Sequence, residues 1–208
     1  MAKLDIWPVV QTERTALVAD LTPLTAAQWS TTSLCSDWTV QDVVAHMSAT
    51  AKVTPISFFP KLAASGFSFG RLQAKDIAAE NSGGTAGTLA GFEAIVSSRK
   101  RPPGPPQTML GETIIHGEDI RRALGIRHDY STESVTQVAD FYKSSNLIIG
   151  AKRRIDGVRL VATDTEWSHG SGPEVSGPIV ALLLAMTGRK AALGDLSGDG
   201  VATLQQRS

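Results

Sequence analysis

Glu112 and His116 stand four residues apart in the stretch Gly111-Glu112-Thr113-Ile114-Ile115-His116-Gly117-Glu118-Asp119, so on a helix both project from one face. At about 100° per residue they fall within the arc shared by Met109, Ile120 and Ala123. That arc is the side an amphipathic helix turns toward its core. Burying a carboxylate and an imidazole there costs several kcal/mol unless each is paired or ligated. The chain must therefore bring partners to this face, and a metal ion is the simplest one that satisfies both groups.

The rest of the sequence describes an ordinary globular protein of one large or two small domains: 208 residues, 42% hydrophobic and 19% charged. Twenty basic and twenty acidic side chains cancel, so no global field recruits nucleic acid or an anionic membrane. The single cysteine, Cys35, excludes an internal disulfide framework and suits a reducing cytoplasm. The first residues lack the apolar core of a signal peptide, and the most apolar run, Ile179 to Met186, is too short to span a bilayer. The expectation is a cytoplasmic protein.

Periodicity predicts a helix over 5–21, a short turn through Ala26, Ala27 and Trp29, and a helix from Val40 to about Val53. Thr39 with Asp42 three residues on gives the start of that helix a capping-box variant. Residues 54–85 are broken by Pro55 and Pro60 and read as a lid or a bundle connection. Further helices are predicted over 85–98, 108–124 with Gly125 as C-cap, and 132–149, with a proline-rich loop at 99–106. Beyond Gly150 come a strand at 158–163, a Gly/Pro-rich turn at 170–178, an apolar helix ending at Gly188-Arg189, and a final strand through Val201 and Leu204. The predicted fold is mainly α: a four-helix bundle over 1–150, followed by a small α+β domain over 151–208.

Two ligands on one helix need a third from elsewhere to hold a divalent ion. His46 is the best candidate, on the flank of the stripe formed by Val40, Val43, Val44 and Met47 in a chain with four histidines. Helix bundles commonly house metal sites between facing helices. A His46-Glu112-His116 set leaves a coordination position open, the catalytic arrangement for zinc, without excluding nickel, iron or manganese. Asp119 is placed to orient the His116 ring as a hydrogen-bond acceptor. The bland alternative is a surface i,i+4 contact for Glu112 and His116 and a hydrogen-bonded edge-of-core His46. Cys35 reads as a buried structural cysteine, since nothing nearby in sequence activates it. His128 is predicted exposed, His169 lies in a loop, and Arg121 and Arg122 point away from the Glu112 arc, toward the surface or a domain interface. Lys152-Arg153-Arg154 reads as a solvated hinge.

Two stretches resemble the mycothiol-dependent maleylpyruvate isomerase family. One is Trp29 with Cys35-Ser36-Asp37-Trp38-Thr39-Val40-Gln41-Asp42-Val43-Val44-Ala45-His46; the other is Gly111-Glu112 to His116-Gly117-Glu118-Asp119-Ile120-Arg121-Arg122-Ala123-Leu124-Gly125. Leu160 to Asp164, Trp167, Gly172 to Pro178 and Thr187-Gly188-Arg189 are similar to the small C-terminal domain often appended to it. The resemblance implies a DinB-like, up-down four-helix bundle and a divalent metal, most often zinc, held by His46, Glu112 and His116. It also implies mycothiol as thiol cosubstrate, its sulfur filling the open metal position as a thiolate nucleophile. A transferase or isomerase acting on a small electrophilic substrate follows. The same site could instead serve a metal-dependent hydrolase, or the bundle a non-catalytic binding or stress-response role. Bundles of this kind can pair through helix faces, so a homodimer is open. No arginine is assigned to hold a dicarboxylate such as maleylpyruvate.

Overall fold

Thr39 and Asp42 form a full capping box: the Asp42 amide donates to Thr39 Oγ1 at 3.2 Å, and the Thr39 amide donates to Asp42 Oδ2 at 3.0 Å. The helix they start, α3 (Val40–Thr50), buries Val40, Val43, Val44 and Met47 as its stripe predicts. The computed structural model describes residues 5–35, 38–147 and 149–207. Ser36 and Asp37 of the first family-like stretch, Ile148 and the first four residues lie outside the described set. The contacts divide the chain between His128 and Asp129 into two units.

The first unit contains α1 (Ile6–Leu21), the single turn α2 (Ala26–Trp29), α3, α4 (Pro55–Ala64), α5 (Phe69–Glu80), α6 (Gly84–Glu93) and α7 (Gln107–Leu124). Helix α1 packs on α7, α7 on α3, α3 on α6, and α6 back on α1, which closes a ring of four. Leu17, Leu21, Val43, Val44, Met47, Phe92, Met109 and Ile120 fill its core. Gly125 ends α7 in the left-handed region at φ 69°, where its amide donates to the carbonyls of Arg121 and Arg122.

Residues 54–85 differ from the expectation of broken structure. They form two helices, and Pro60 sits inside α4. Proline removes one intrahelical donor, and α4 tolerates this because none of its residues is buried and the freed carbonyl can meet water. Helix α6 stops at Glu93 rather than Ser98. The carbonyls of Ile95 and Ser98 each accept a hydrogen bond from Arg14 Nη1 at 3.0 Å instead.

In the second unit, α8 (Thr132–Tyr142) packs on α10 (Ile179–Met186), so the contact division precedes α8 instead of falling at 150. Strands β1 (Arg159–Ala162), β2 (Ser168–Gly170) and β3 (Glu174–Gly177) form a sheet in the order β2-β1-β3, antiparallel on one side and parallel on the other. The Gly/Pro-rich stretch thus contains strand structure that its composition hides. At Gly172, φ is 118° and an added Cβ would stand 2.2 Å from the Gly157 carbonyl oxygen, so the close approach requires glycine. The single turn α9 (Ala151–Arg154) precedes the sheet, and α11 (Val201–Arg207) ends the chain. The predicted final strand is therefore a helix. Ser197 pairs with Ser176 beside β3, and the Gly198-Asp199-Gly200 turn then leads the chain into α11, which buries Leu204.

Because the Thr39 box starts the helix that carries His46, Thr39→Ala should lower unfolding stability by about 1 kcal/mol. Urea denaturation measures this, and an unchanged midpoint would mean that the cap contributes nothing.

Candidate metal centre

Helices α3 and α7 run antiparallel where they meet, because His46 lies beside His116 while Thr50, one turn on, hydrogen-bonds Glu112, one turn back. The two imidazole rings stand edge to face with centroids 5.2 Å apart. His46, Thr50, Glu112 and His116 are all partly exposed, whereas the residues around them on both helices are mostly buried. The seam is thus a polar strip at the border of an apolar core, reached by solvent only in part. Trp38, immediately before the Thr39 cap, lies over it, with its ring 4.9 Å from His46 and 6.4 Å from His116.

Each polar member has a distinct electrostatic state. Burial holds His46 neutral, with its pKa near 3, and the neighbouring His116 pushes it the same way. Burial raises Glu112 to about 7, against the opposing pull of His116, of the Arg14 guanidinium and of the Thr50 hydrogen bond. Burial also works against the charged form of His116, but hydrogen bonds with Asp119 and Cys35 outweigh it and lift the ring to about 9. The Asp119 bond is 2.9 Å long, from His116 Nδ1 to Oδ2 of a carboxylate with no solvent exposure. A carboxylate on Nδ1 leaves Nε2 as the coordinating nitrogen, the arrangement usual behind metal-bound histidines.

A neutral His46, a His116 whose Nε2 is left open, and a Glu112 carboxylate coupled to His116 make a donor set suited to a borderline divalent ion. A second set shares His116: the ligating atoms of Cys35, His116 and Asp119 all lie within 4.8 Å of one another, and these groups too could hold a metal. His46 and Glu112 stand outside that tighter cluster.

Several residues lie differently from their sequence reading. Cys35 is partly exposed and in contact with His116 and Asp119, although nothing adjacent in sequence signals it. Arg121 is buried, not at the surface, with Nε donating to Asp20 at 2.7 Å, and Arg122 is paired with Glu118 at 2.7 Å. His128 is half-buried, its Nε2 2.7 Å from Glu13 Oε2. His169 lies in strand β2, its ring 6.5 Å from Trp167. Arg14 and Thr50 were missed, yet both carried a signal. Arg14 shares the inward arc of Val10 and Leu17, and Thr50 follows His46 by one helical turn.

The His116 state gives a pH prediction for metal-free protein. Its pKa is above the ordinary 6.5, so the stability it contributes is full below that pH and is lost as pH rises through about 9. Asp119→Asn should shift the His116 titration downward and flatten this alkaline loss. NMR of the ring protons over that range tests it, and an unmoved titration would show that Asp119 does not set the charge.

Comparison with known proteins bears on the same elements. Residues 10–103 match the family model of the mycothiol maleylpyruvate isomerase N-terminal domain, a stretch that includes Cys35, Trp38 and His46 and stops short of Glu112 and His116. No curated protein sequence matches the chain. Among solved structures, the mycothiol-dependent maleylpyruvate isomerase matches with a TM-score of 0.59 at 11% identity, over 93% of this chain and 91% of that one. A histidine-to-alanine variant of that enzyme matches with a TM-score of 0.58 at the same identity and coverage. Among the described residues no helix is long and apolar enough to cross a membrane. Residues 10–103 are therefore similar to the mycothiol maleylpyruvate isomerase N-terminal domain, and the chain shares the fold of mycothiol-dependent maleylpyruvate isomerase.

Proposed function

We propose that this protein is a metal-dependent, mycothiol-using enzyme, an isomerase or S-transferase acting on a small electrophilic substrate. His46, Glu112 and His116 are its metal ligands, and the helical bundle of the first unit is its metal-binding part. The observation that carries this reading is the antiparallel α3–α7 seam, which sets a neutral imidazole beside a second one whose Nδ1 is committed to a buried carboxylate. The family-model match of residues 10–103 and the shared fold support the thiol and the class of reaction.

A divalent ion such as zinc, when bound, supplies a Lewis acid that lowers the pKa of a thiol so that its thiolate is available near neutral pH. The chain's own residues prepare the site for it. Asp119 fixes which edge of His116 faces outward. Arg14, 2% exposed, favours the charged form of Glu112 from the core side, and Thr50 hydrogen-bonds the same carboxylate. Trp38 walls the seam with an apolar face, which limits the water beside the two histidines.

Metal binding displaces the proton that His116 holds up to about pH 9, so affinity should rise from pH 7 toward 9. Protein purified without added metal should contain about one zinc per chain by mass spectrometry, and His116→Ala little. Turnover of small electrophiles, maleylpyruvate included, should require added mycothiol. Turnover without thiol would make water the nucleophile and the protein a hydrolase. No metal in wild type, with folding unchanged, would contradict a metal-dependent enzyme.

A further inference from the structure

The χ2 torsion of a histidine is broad, so the plane of a histidine ring is set by what it bonds and touches more than by its rotamer. At His116 one bond is the 2.9 Å contact from Nδ1 to Asp119. Cys35 supplies a second contact: its sulfur accepts a hydrogen bond from the same ring, and Sγ lies within 4.8 Å of both a ring nitrogen and an Asp119 carboxylate oxygen. The two nitrogens of an imidazole point to diverging edges. A sulfur bonded at Nε2 would stand well away from a carboxylate bonded at Nδ1. The mutual closeness of the three groups therefore puts Cys35 on the Nδ1 edge, beside Asp119.

The backbone fixes that placement. The Leu34 amide donates to the Asp119 carbonyl at 3.2 Å, which ties the Cys35 loop directly to α7. The Cys35 amide donates to Ser33 Oγ at 3.1 Å, the Ser33 amide to the Trp38 carbonyl at 2.9 Å, and the Trp38 amide to the Cys35 carbonyl at 3.2 Å. One small loop thus presents Cys35 behind the His116 ring and Trp38 over its face.

We propose that Cys35 is a positioning residue, which together with Asp119 clamps the Nδ1 edge of His116 so that Nε2 faces a metal ion held with His46 and Glu112. The inference rests on the metal reading above. On it, the chain's one thiol is not a metal ligand and not the nucleophile. The reacting sulfur comes from the thiol cosubstrate, while Cys35 holds the ring against tilting out of the Asp119 bond.

Cobalt(II) titration of metal-free protein, with affinity read by chelator competition, tests this on wild type, Cys35→Ala, Cys35→Ser and His46→Ala. Cys35→Ala should bind cobalt about 10- to 100-fold more weakly, the cost usual for losing a group that orients a metal-bound histidine. Its metal-free circular dichroism spectrum should match that of wild type, so that the loss is read in a folded protein. Cys35→Ser, which keeps a hydrogen-bonding group on that edge, should recover most of the affinity. The wild-type cobalt spectrum should lack sulfur-to-metal charge-transfer absorption in the absence of added thiol. Wild-type affinity in Cys35→Ala, with His46→Ala weakened, overturns the clamp and leaves the metal reading standing. A charge-transfer band that Cys35→Ser abolishes overturns it by making Cys35 a ligand. Wild-type affinity in His46→Ala places the ion elsewhere, and both readings fall.

Discussion

The antiparallel packing of α3 on α7 is the contact on which the rest of the site depends. Both helices commit apolar stripes to the bundle core, Val40, Val43, Val44 and Met47 on one and Met109 and Ile120 on the other. At the border of those stripes each helix carries polar side chains one turn apart, His46 and Thr50 against His116 and Glu112. Apolar burial supplies the driving force that holds the helices in register. The register then forces two imidazoles and a carboxylate into a place where burial penalises their charged forms. A helix slipped by one turn would carry His46 and Thr50 away from His116 and Glu112.

Around that seam the structure answers each unfavourable term with a specific contact. Asp119 and Cys35 balance the burial of His116, and Arg14 and Thr50 moderate that of Glu112. Arg14 is itself held by two backbone carbonyls, those of Ile95 and Ser98, beyond the end of α6. The early end of α6 and the electrostatics of Glu112 are thus two consequences of one buried guanidinium. Among the described residues His46 has no comparable partner in its electrostatics, where burial and His116 act in the same direction, and it stays neutral. A neutral imidazole is the state in which a histidine donates a lone pair to a metal.

What was legible in the sequence was local and periodic. The inward arc of Glu112 and His116, the Thr39–Asp42 box and the Gly125 cap depend on residues within one helical turn, and each can be read from spacing. Cys35 could not be found that way, because its partners Asp119 and His116 are far along the chain and meet it where the Leu34–Asp119 backbone bond ties its loop to α7. The burial of Arg121 depends likewise on a distant aspartate, Asp20. Composition misled where glycine and proline do unusual work. Strands β2 and β3 lie in a stretch whose glycines permit close backbone approach, and Pro60 sits in a helix exposed enough to lose a hydrogen bond. The terminal helix α11 was misread because Gly198-Asp199-Gly200 turns the chain away from the sheet after Ser197 has already paired with Ser176.

The proposed site holds one metal ion by nitrogen and oxygen donors of α3 and α7, with a position left for an external sulfur. X-ray absorption at the zinc edge of the loaded protein, with and without mycothiol, tests it most directly. Nitrogen and oxygen neighbours alone are expected in the absence of thiol, and one zinc–sulfur contact once mycothiol is added. A sulfur neighbour before any thiol is added would assign the ion to Cys35 and its cluster instead. A shell unchanged by mycothiol would contradict the open position.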